Sequence, residues 1–264
     1  MAKNIIFYFS GTGNCLAVAK QIAQQLGDCE VVFMKGEFTP AAHYERMGFV
    51  LPCYAGGAPK PAMEFLKKLP LNSGSADYVF SVITCNVNGG DASFMLNKAL
   101  MQKGLRLNYA KTVRMVGNYV VQYSVPKNAE ELLQNADAKL RKIAAEVKQK
   151  AETKRSRRHL YFTAFYGLGN QFFYLKEKQL RTSDACSGCG LCAQLCPVEN
   201  IIIAGGKPQF LHQNCTNCLA CLHWCPMAAI DCGKSTVWRE RFHHPDVTAG
   251  ELIAGREEIN GQTA

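Results

Sequence analysis

Cysteines occur in two short runs in the last third of the chain, and both runs have the spacing C-x2-C-x2-C-x3-C-P. The second run repeats the first about 29 residues further on. The eight thiols are Cys186, Cys189, Cys192 and Cys196 in the first run, and Cys215, Cys218, Cys221 and Cys225 in the second. This spacing is typical of thiolates that hold a cubane 4Fe–4S cluster.

The fourth cysteine of each run is predicted to serve the cluster of the other run. Three thiolates separated by two residues fit three corners of one cluster, whereas the fourth, followed by proline, reaches across. One predicted 4Fe–4S cluster is therefore held by Cys186, Cys189, Cys192 and Cys225. The other is held by Cys215, Cys218, Cys221 and Cys196. Structural zinc and disulfides are the alternatives, although a zinc site needs neither the third cysteine nor the C-P ending.

A second group of candidate residues forms a loop between a strand-like run at 3–9 and a helical pattern that opens at Leu16. Its members are Ser10, Gly11, Thr12, Gly13, Asn14 and Cys15. Glycines let backbone N–H groups approach an anion, hydroxyls donate to it, and a helix N-terminus favours negative charge. The loop matches neither the Walker pattern nor G-x-G-x-x-G. It predicts a phosphate site, and the alternative is an ordinary strand-to-helix turn.

The elements that position these residues alternate between strands and helices. Strand-like runs follow near 29–34, 47–52, 78–85 and 112–119, and helical patterns lie near 59–69, 92–103 and 128–152. Such alternation predicts an α/β fold with a doubly wound, parallel, five-stranded sheet that binds ligands at the carboxyl ends of its strands.

The phosphate loop resembles that of flavodoxins, S/T-x-T-G-x-T, with Cys15 in place of the last hydroxyl. The cysteine runs make residues 183–232 resemble a bacterial two-cluster ferredoxin. Together they resemble the flavodoxin–ferredoxin fusion family of anaerobic bacteria over about residues 3–245. That resemblance implies FMN, two 4Fe–4S clusters and electron transfer, and it names no substrate.

Flavodoxins place two further loops beside the isoalloxazine ring, and the chain has glycine-rich loops after its third and fourth predicted strands. The resemblance assigns to the flavin Cys53, Tyr54, Ala55, Gly56 and Gly57 from one loop, and Cys85, Asn86, Asn88, Gly89 and Gly90 from the other. Tyr54 is the candidate for ring stacking. Asn118 and Tyr119 are expected to close the fifth strand at the same edge, with Tyr119 also near the flavin. For these tyrosines, simple packing of a turn is the alternative.

Four segments are predicted: a flavodoxin-like FMN domain at 1–152, a basic and aromatic helical linker at 153–182, a ferredoxin domain at 183–234 and a C-terminal extension at 235–264. Hairpin arms are expected at 201–203 and 208–210. His223 is expected on the surface and Cys232 in the core. Residues 255–264 are expected to be a mobile polar tail.

Composition limits the functional classes. No apolar run approaches the roughly 18 residues of a membrane span, and no signal peptide is seen, so stable membrane insertion is not expected. The cysteines outside the two motifs indicate a reducing compartment, the cytoplasm. A net charge of +9 favours acidic protein partners or anionic ligands. Nucleic acid is not an expected partner.

The leading hypothesis is an electron-transfer iron–sulfur flavoprotein that passes electrons between its clusters and FMN, interconverts one- and two-electron transfer, and exchanges electrons with redox partner proteins. No catalytic residue is identified, because no triad or paired carboxylates lie at the predicted flavin edge. The alternatives are an FMN-dependent reductase of a quinone, nitro compound or enone, and a redox-sensing docking module. The sequence does not identify the donor, the acceptor or the oligomeric state.

Overall fold

The computed structural model describes residues 2–154, 158–159 and 176–261. Strands and helices alternate through the first 148 residues. They are β1 (Asn4–Tyr8), α1 (Asn14–Leu26), β2 (Cys29–Phe33), β3 (Tyr44–Pro52), α2 (Lys60–Lys68), β4 (Ala76–Cys85), α3 (Ala92–Met101), β5 (Tyr109–Arg114) and α4 (Ala129–Lys148).

The five strands form one parallel sheet in the order β2-β1-β3-β4-β5. This is the flavodoxin-like doubly wound order, in which the strand sequence reverses direction between β1 and β3. The predicted fold class is therefore confirmed. Ligands in such sheets bind at the carboxyl ends of the strands beside that reversal, and the loop that starts at Ser10 lies there.

The central strands are apolar because helices cover both faces of the sheet. Ile5, Ile6 and Phe7 of β1 are fully buried, as are most residues of β3 and β4. Helix α4 contributes an apolar stripe, whose buried members are Leu132, Ala136, Leu140, Ile143, Ala144 and Val147. Both patterns follow from burial against a two-sided sheet.

The fifth strand was predicted at 112–119, and this boundary is wrong. Strand β5 ends at Arg114, which pairs with Cys85 at the end of β4. One more backbone bond follows, from Met115 N–H to the Cys85 carbonyl at 2.8 Å. Because β4 offers no further partner, Asn118 and Tyr119 lie in a loop beyond the strand.

A smaller unit with short strands follows. It contains β6 (Leu180–Thr182), α5 (Leu191–Gln194), β7 (Ile201–Ala204), β8 (Lys207–Phe210), α6 (Ala220–His223) and β9 (Ile230–Cys232). Strand β6 pairs antiparallel with β9, and β7 pairs antiparallel with β8. The predicted hairpin arms are therefore confirmed, and Cys232 is fully buried as expected.

The tail predicted to be mobile at 255–264 is instead mostly helical. Helix α7 (Ala249–Gly261) packs against β2, with Leu252 fully buried. A capping box starts it: Glu251 N–H donates to Thr248 Oγ1 at 3.2 Å, and Thr248 N–H donates to Glu251 Oε2 at 2.8 Å. The T-x-x-E spacing from Thr248 to Glu251 is the sequence signal for this helix start.

The linker predicted at 153–182 falls largely outside the described residues, which omit 155–157 and 160–175. The basic, aromatic and helical character of this linker therefore stays a prediction. Among the helices described, none combines the length and the apolar character needed to cross a membrane.

Candidate functional site

The sequence repeat of the cysteine runs is also a repeat of backbone conformation. Three pairs of left-handed residues recur about 29 positions apart. They are Gly188 and Asn217 (φ 73° and 51°), Gly190 and Leu219 (φ 77° and 55°), and Glu199 and Ala228 (φ 53° and 46°). The two halves therefore fold the same loop, although only the first uses glycine at two of these positions.

Each fourth cysteine accepts an equivalent hydrogen bond. Asn200 N–H donates to Cys196 Sγ at 3.2 Å, and Ala229 N–H donates to Cys225 Sγ at 3.3 Å. Hydrogen bonds of this kind favour thiolates and tune the potential of a cluster bound to them.

The eight thiols line two separate cavities, and the fourth cysteine of each run lies with the other run. One cavity is lined by Cys196, Cys215, Cys218 and Cys221 together with apolar residues such as Leu180 and Ile201. We call it the second-run cavity. The first-run cavity is lined by Cys186, Cys189, Cys192 and Cys225, with Ile203 and Pro208 among its apolar neighbours. These groupings are the two crossed sets predicted from the spacing.

Burial raises the pKa of Cys192, Cys196 and Cys221 in the protein alone. It raises the pKa of Cys192 to about 11. Burial and the neighbouring thiols of Cys218 and Cys215 raise the pKa of Cys221 well above its ordinary value. A bound metal centre would deprotonate such thiols, since coordination supplies the missing positive charge. Among the described residues, which include all thirteen cysteines, no disulfide is present and no group of three side chains converges on a single-ion site.

A third cavity opens at the carboxyl ends of β1, β3 and β4. We call it the sheet-edge cavity. Most residues predicted for the flavin line it, namely Ser10, Gly11, Thr12, Asn14, Cys15, Cys53, Tyr54, Cys85 and Asn86. Seven residues that were not predicted for the flavin also line it, namely Pro52, Thr84, Met115, Val116, Gly117, Asn118 and Tyr123.

The loop at Ser10–Cys15 is held in shape by its own side chains. Ser10 Oγ accepts a hydrogen bond from Gly13 N–H at 3.0 Å, and Gly13 is left-handed, with φ 93°. Asn14 begins α1 and donates through Nδ2 to the Val116 carbonyl at 2.9 Å. The N-terminus of α1 therefore lies at the sheet-edge cavity, as anion binding requires.

Cys15 joins α1 to the sheet. Its Sγ lies 3.2 Å from Thr84 Oγ1, and burial raises its pKa to about 12. The thiol is therefore neutral at physiological pH.

Several predicted residues lie outside the wall of the sheet-edge cavity. They are Gly13, Ala55, Gly56, Gly57, Asn88, Gly89, Gly90 and Tyr119. The two glycine-rich loops instead pack on each other, because Asp91 N–H donates to the Gly56 carbonyl at 2.8 Å. A Cβ at Gly90, which has φ 51°, would lie 2.1 Å from that carbonyl oxygen. At Gly90 the missing side chain is explained by contact between the loops.

Two tyrosines stand at the wall of the sheet-edge cavity. Tyr54 is nearly buried, and its ring meets Phe9 edge-on at 6.4 Å. Tyr123 accepts a hydrogen bond from Tyr119 N–H at 3.2 Å, and the two rings are 6.4 Å apart. Sequence reasoning selected Tyr119, whereas its partner four residues later reaches the cavity.

The sheet-edge cavity and the second-run cavity share a wall of backbone. Gly11 and Cys218 meet so closely that a Cβ at Gly11 would lie 2.7 Å from the Cys218 carbonyl oxygen. Trp224 Nε1–H donates to the Gly11 carbonyl at 3.0 Å, and Asn118 Nδ2 donates to the Cys218 carbonyl at 3.1 Å. Gly11 and Asn118 line one cavity and Cys218 lines the other.

His223 was predicted on the surface, and this is wrong, because it is almost completely buried at the same junction. Phe242 N–H donates to its Nδ1 at 3.0 Å, so its Nε2–H donates to the Asn118 carbonyl at 2.7 Å. Burial lowers the pKa of His223 to about 4, and the ring is neutral at physiological pH. Helix α6 is buried on this side because the flavodoxin-like part covers it, which the local sequence does not show.

In a comparison with known families, residues 178–226 match the family described as a 4Fe-4S dicluster domain. A comparison with curated proteins finds no match. Many solved structures are similar. A single-site variant of Fusobacterium nucleatum flavodoxin bound to flavin mononucleotide is 18% identical, with 58% of this chain and 99% of that one covered and a TM-score of 0.40.

Two further solved structures are similar at the same low identity. Two-electron reduced flavodoxin from Megasphaera elsdenii is 19% identical, covering 52% of this chain and 98% of that one, with a TM-score of 0.35. Rubredoxin oxygen:oxidoreductase from Desulfovibrio gigas is 15% identical, covering 56% of this chain and 36% of that one, with a TM-score of 0.37. The fold class itself rests on the strand order of the sheet.

The chain thus joins a flavodoxin-like domain to an iron–sulfur domain of the 4Fe–4S dicluster type. This organisation is consistent with a flavodoxin–ferredoxin fusion.

Replacement of His223 by leucine is expected to weaken the junction between the two parts. It leaves the Asn118 carbonyl and Phe242 N–H without their partner, and each such loss costs about 1–3 kcal/mol. The free energy of unfolding, measured in denaturant without oxygen, should fall by that order. His43→Leu is the matched control, because the His43 side chain is half exposed. Equal stability of the two variants would contradict the assigned role of His223.

Proposed function

We propose that the protein is an electron-transfer iron–sulfur flavoprotein that holds two 4Fe–4S clusters and one FMN and exchanges electrons with redox partner proteins. The observation that carries the proposal is the shared wall of Gly11 and Cys218, which brings a cluster cavity directly against the cavity at the sheet edge. Electron transfer between two cofactors of one molecule needs such proximity. Two independent modules joined only by a linker would not need it.

The two crossed sets of thiols would hold the clusters. Cys196, Cys215, Cys218 and Cys221 would hold one in the second-run cavity, and Cys186, Cys189, Cys192 and Cys225 the other in the first-run cavity. The cavities fit this use because they are lined mainly by apolar side chains around four thiols each. When bound, such clusters carry single electrons, and FMN accepts one or two.

The sheet-edge cavity would hold FMN. The loop at Ser10–Cys15 and the N-terminus of α1 suit its phosphate, because Ser10 and Gly13 fix the loop and the helix end presents backbone N–H groups. Tyr54 and Tyr123 offer aromatic surfaces for the ring. Cys15 is committed to Thr84, so we expect backbone groups to replace the missing hydroxyl.

The exposure of the thiols suggests the order in which the proposed cofactors lie between the protein surface and FMN. Cys218 of the second-run cavity is buried against Gly11, whereas Cys189 of the first-run cavity is exposed. The side chain of Ile203 lines the first-run cavity and is 39% exposed. We therefore expect redox partner proteins to approach at the first-run cavity, with the second-run cavity between that surface and FMN.

The crossed ligand sets predict that Cys196→Ala and Cys225→Ala damage different clusters. Each variant should lose about half of the roughly eight irons of the loaded protein, and the remaining EPR signals of the two variants should differ. Cys29→Ala is the control, because Cys29 lies outside both runs. Loss of the same cluster from both variants would rule out the crossed arrangement.

Transfer within one molecule predicts that the clusters reduce bound FMN at a rate independent of protein concentration. Rapid mixing with a low-potential reductant, followed at flavin wavelengths, measures this rate. Cys218→Ala should slow it strongly, while Cys29→Ala should leave it unchanged. A rate proportional to protein concentration in the unaltered protein would contradict the proposal. Saturable turnover of a quinone, nitro compound or enone would instead support the reductase alternative.

A further inference from the structure

Helix α7 delivers a buried arginine to the junction of the two parts. Arg256 is only 2% exposed. Its Nη1 donates to the Leu195 carbonyl and its Nη2 donates to the Ser10 carbonyl at 3.2 Å. The guanidinium also lies over the ring of Phe33, 4.9 Å from the centroid. One cation therefore touches both the residue before Cys196 and the first residue of the phosphate loop.

The charge of Arg256 has no carboxylate partner among the described residues. Its hydrogen bonds are to backbone carbonyls, and its Nε is buried without an acceptor. A buried charge is normally paired, because removal from water costs several kcal/mol. Arginine does not solve this by deprotonating. The site therefore calls for an anion that the polypeptide alone does not supply.

The thiols of the second-run cavity are placed to supply it. Burial lowers the pKa of Arg256, and Cys218 and Cys196 are among the groups that act in the opposite direction. Both cysteines belong to the set that lines the second-run cavity. Once deprotonated by iron, these sulfurs would carry the negative charge that Arg256 lacks.

The first-run cavity has no equivalent unpaired cation among the described residues. Ile230 lines that cavity, and Arg241 Nη2 donates to the Ile230 carbonyl at 3.0 Å. The same Nη2 lies 2.7 Å from Asp231 Oδ1, so a carboxylate neutralises the charge of Arg241. The repeat is therefore symmetric in its backbone and asymmetric in its charge.

We propose that Arg256 is the buried counter-charge of the cluster held by Cys196, Cys215, Cys218 and Cys221, and that it raises the reduction potential of this cluster above that of the other. The proposal rests on the cluster assignment made above. A fixed positive charge in a poorly solvated site stabilises the state that carries one more electron. Arg256 thus favours reduction of the cluster beside the sheet-edge cavity over reduction of the other cluster.

The test is a redox titration of the full, loaded protein, followed by EPR, with three variants. Arg256→Gln removes the charge and keeps a hydrogen-bond donor, while Arg256→Lys keeps the charge. Glu251→Gln breaks the ion pair of the same helix with Lys20 and leaves Arg256 in place. The signal of the second-run cluster is identified as the one lost in Cys196→Ala.

We expect Arg256→Gln to lower the equilibrium constant for one-electron reduction of the second-run cluster at least tenfold. This corresponds to a fall of about 59 mV in its reduction potential. Arg256→Lys should retain most of the original potential, Glu251→Gln all of it, and the other cluster should shift less. Loss of the second-run cluster from Arg256→Gln, with retention in Arg256→Lys, would also show that the charge is required.

Two results would overturn the role of Arg256. One is an unchanged potential in an Arg256→Gln protein that still contains about eight irons. The other is an equal effect of Arg256→Gln and Arg256→Lys, in potential or in cluster loss, because the role would then lie in packing and not in charge. Absence of clusters from the unaltered protein would instead refute the function proposed above, so the two failures are distinguishable.

Discussion

The backbone contact between Gly11 and Cys218 is the constraint on which the rest of the arrangement depends. No side chain fits at position 11, because its Cβ would lie 2.7 Å from the Cys218 carbonyl oxygen. A glycine whose sequence context indicates only phosphate binding therefore also lets an iron–sulfur unit approach the sheet edge. Trp224 and Asn118 add a hydrogen bond on either side of this contact and fix the distance between the two cavities.

The C-terminal segment maintains that contact from outside. Phe242 N–H donates to His223 Nδ1, and His244 N–H donates to the Thr12 carbonyl at 2.8 Å. Helix α7 places Arg256 between the two parts. The chain thus returns from the smaller unit to the loop at Ser10–Cys15 and packs against it. Because these contacts are buried and polar, loss of any one of them would leave a buried donor or acceptor unpaired at the junction. Movement of this segment would therefore alter both proposed cofactor sites together.

The correct predictions of fold and thiol grouping came from patterns of residues that are close in sequence. The cysteine spacing predicted the two crossed groups of thiols, and the alternation of strands and helices predicted the parallel sheet, because both patterns depend on neighbours in sequence. The errors arise where distant contacts decide. His223 is buried by the flavodoxin-like part, and no local sequence pattern indicates this contact. Strand β5 ends at Arg114 because its partner β4 ends there. Tyr123 lies on a loop and Arg256 on helix α7, and the placement of both elements depends on tertiary packing. The T-x-x-E cap indicates only where α7 begins.

The most direct test is the content of iron, sulfide and flavin per chain in protein purified without oxygen. We predict about eight irons, about eight sulfides and one FMN, because two four-thiol cavities and one sheet-edge cavity are present. Zinc in place of iron, or a full complement of iron with a sheet-edge cavity that binds no added FMN, would contradict it.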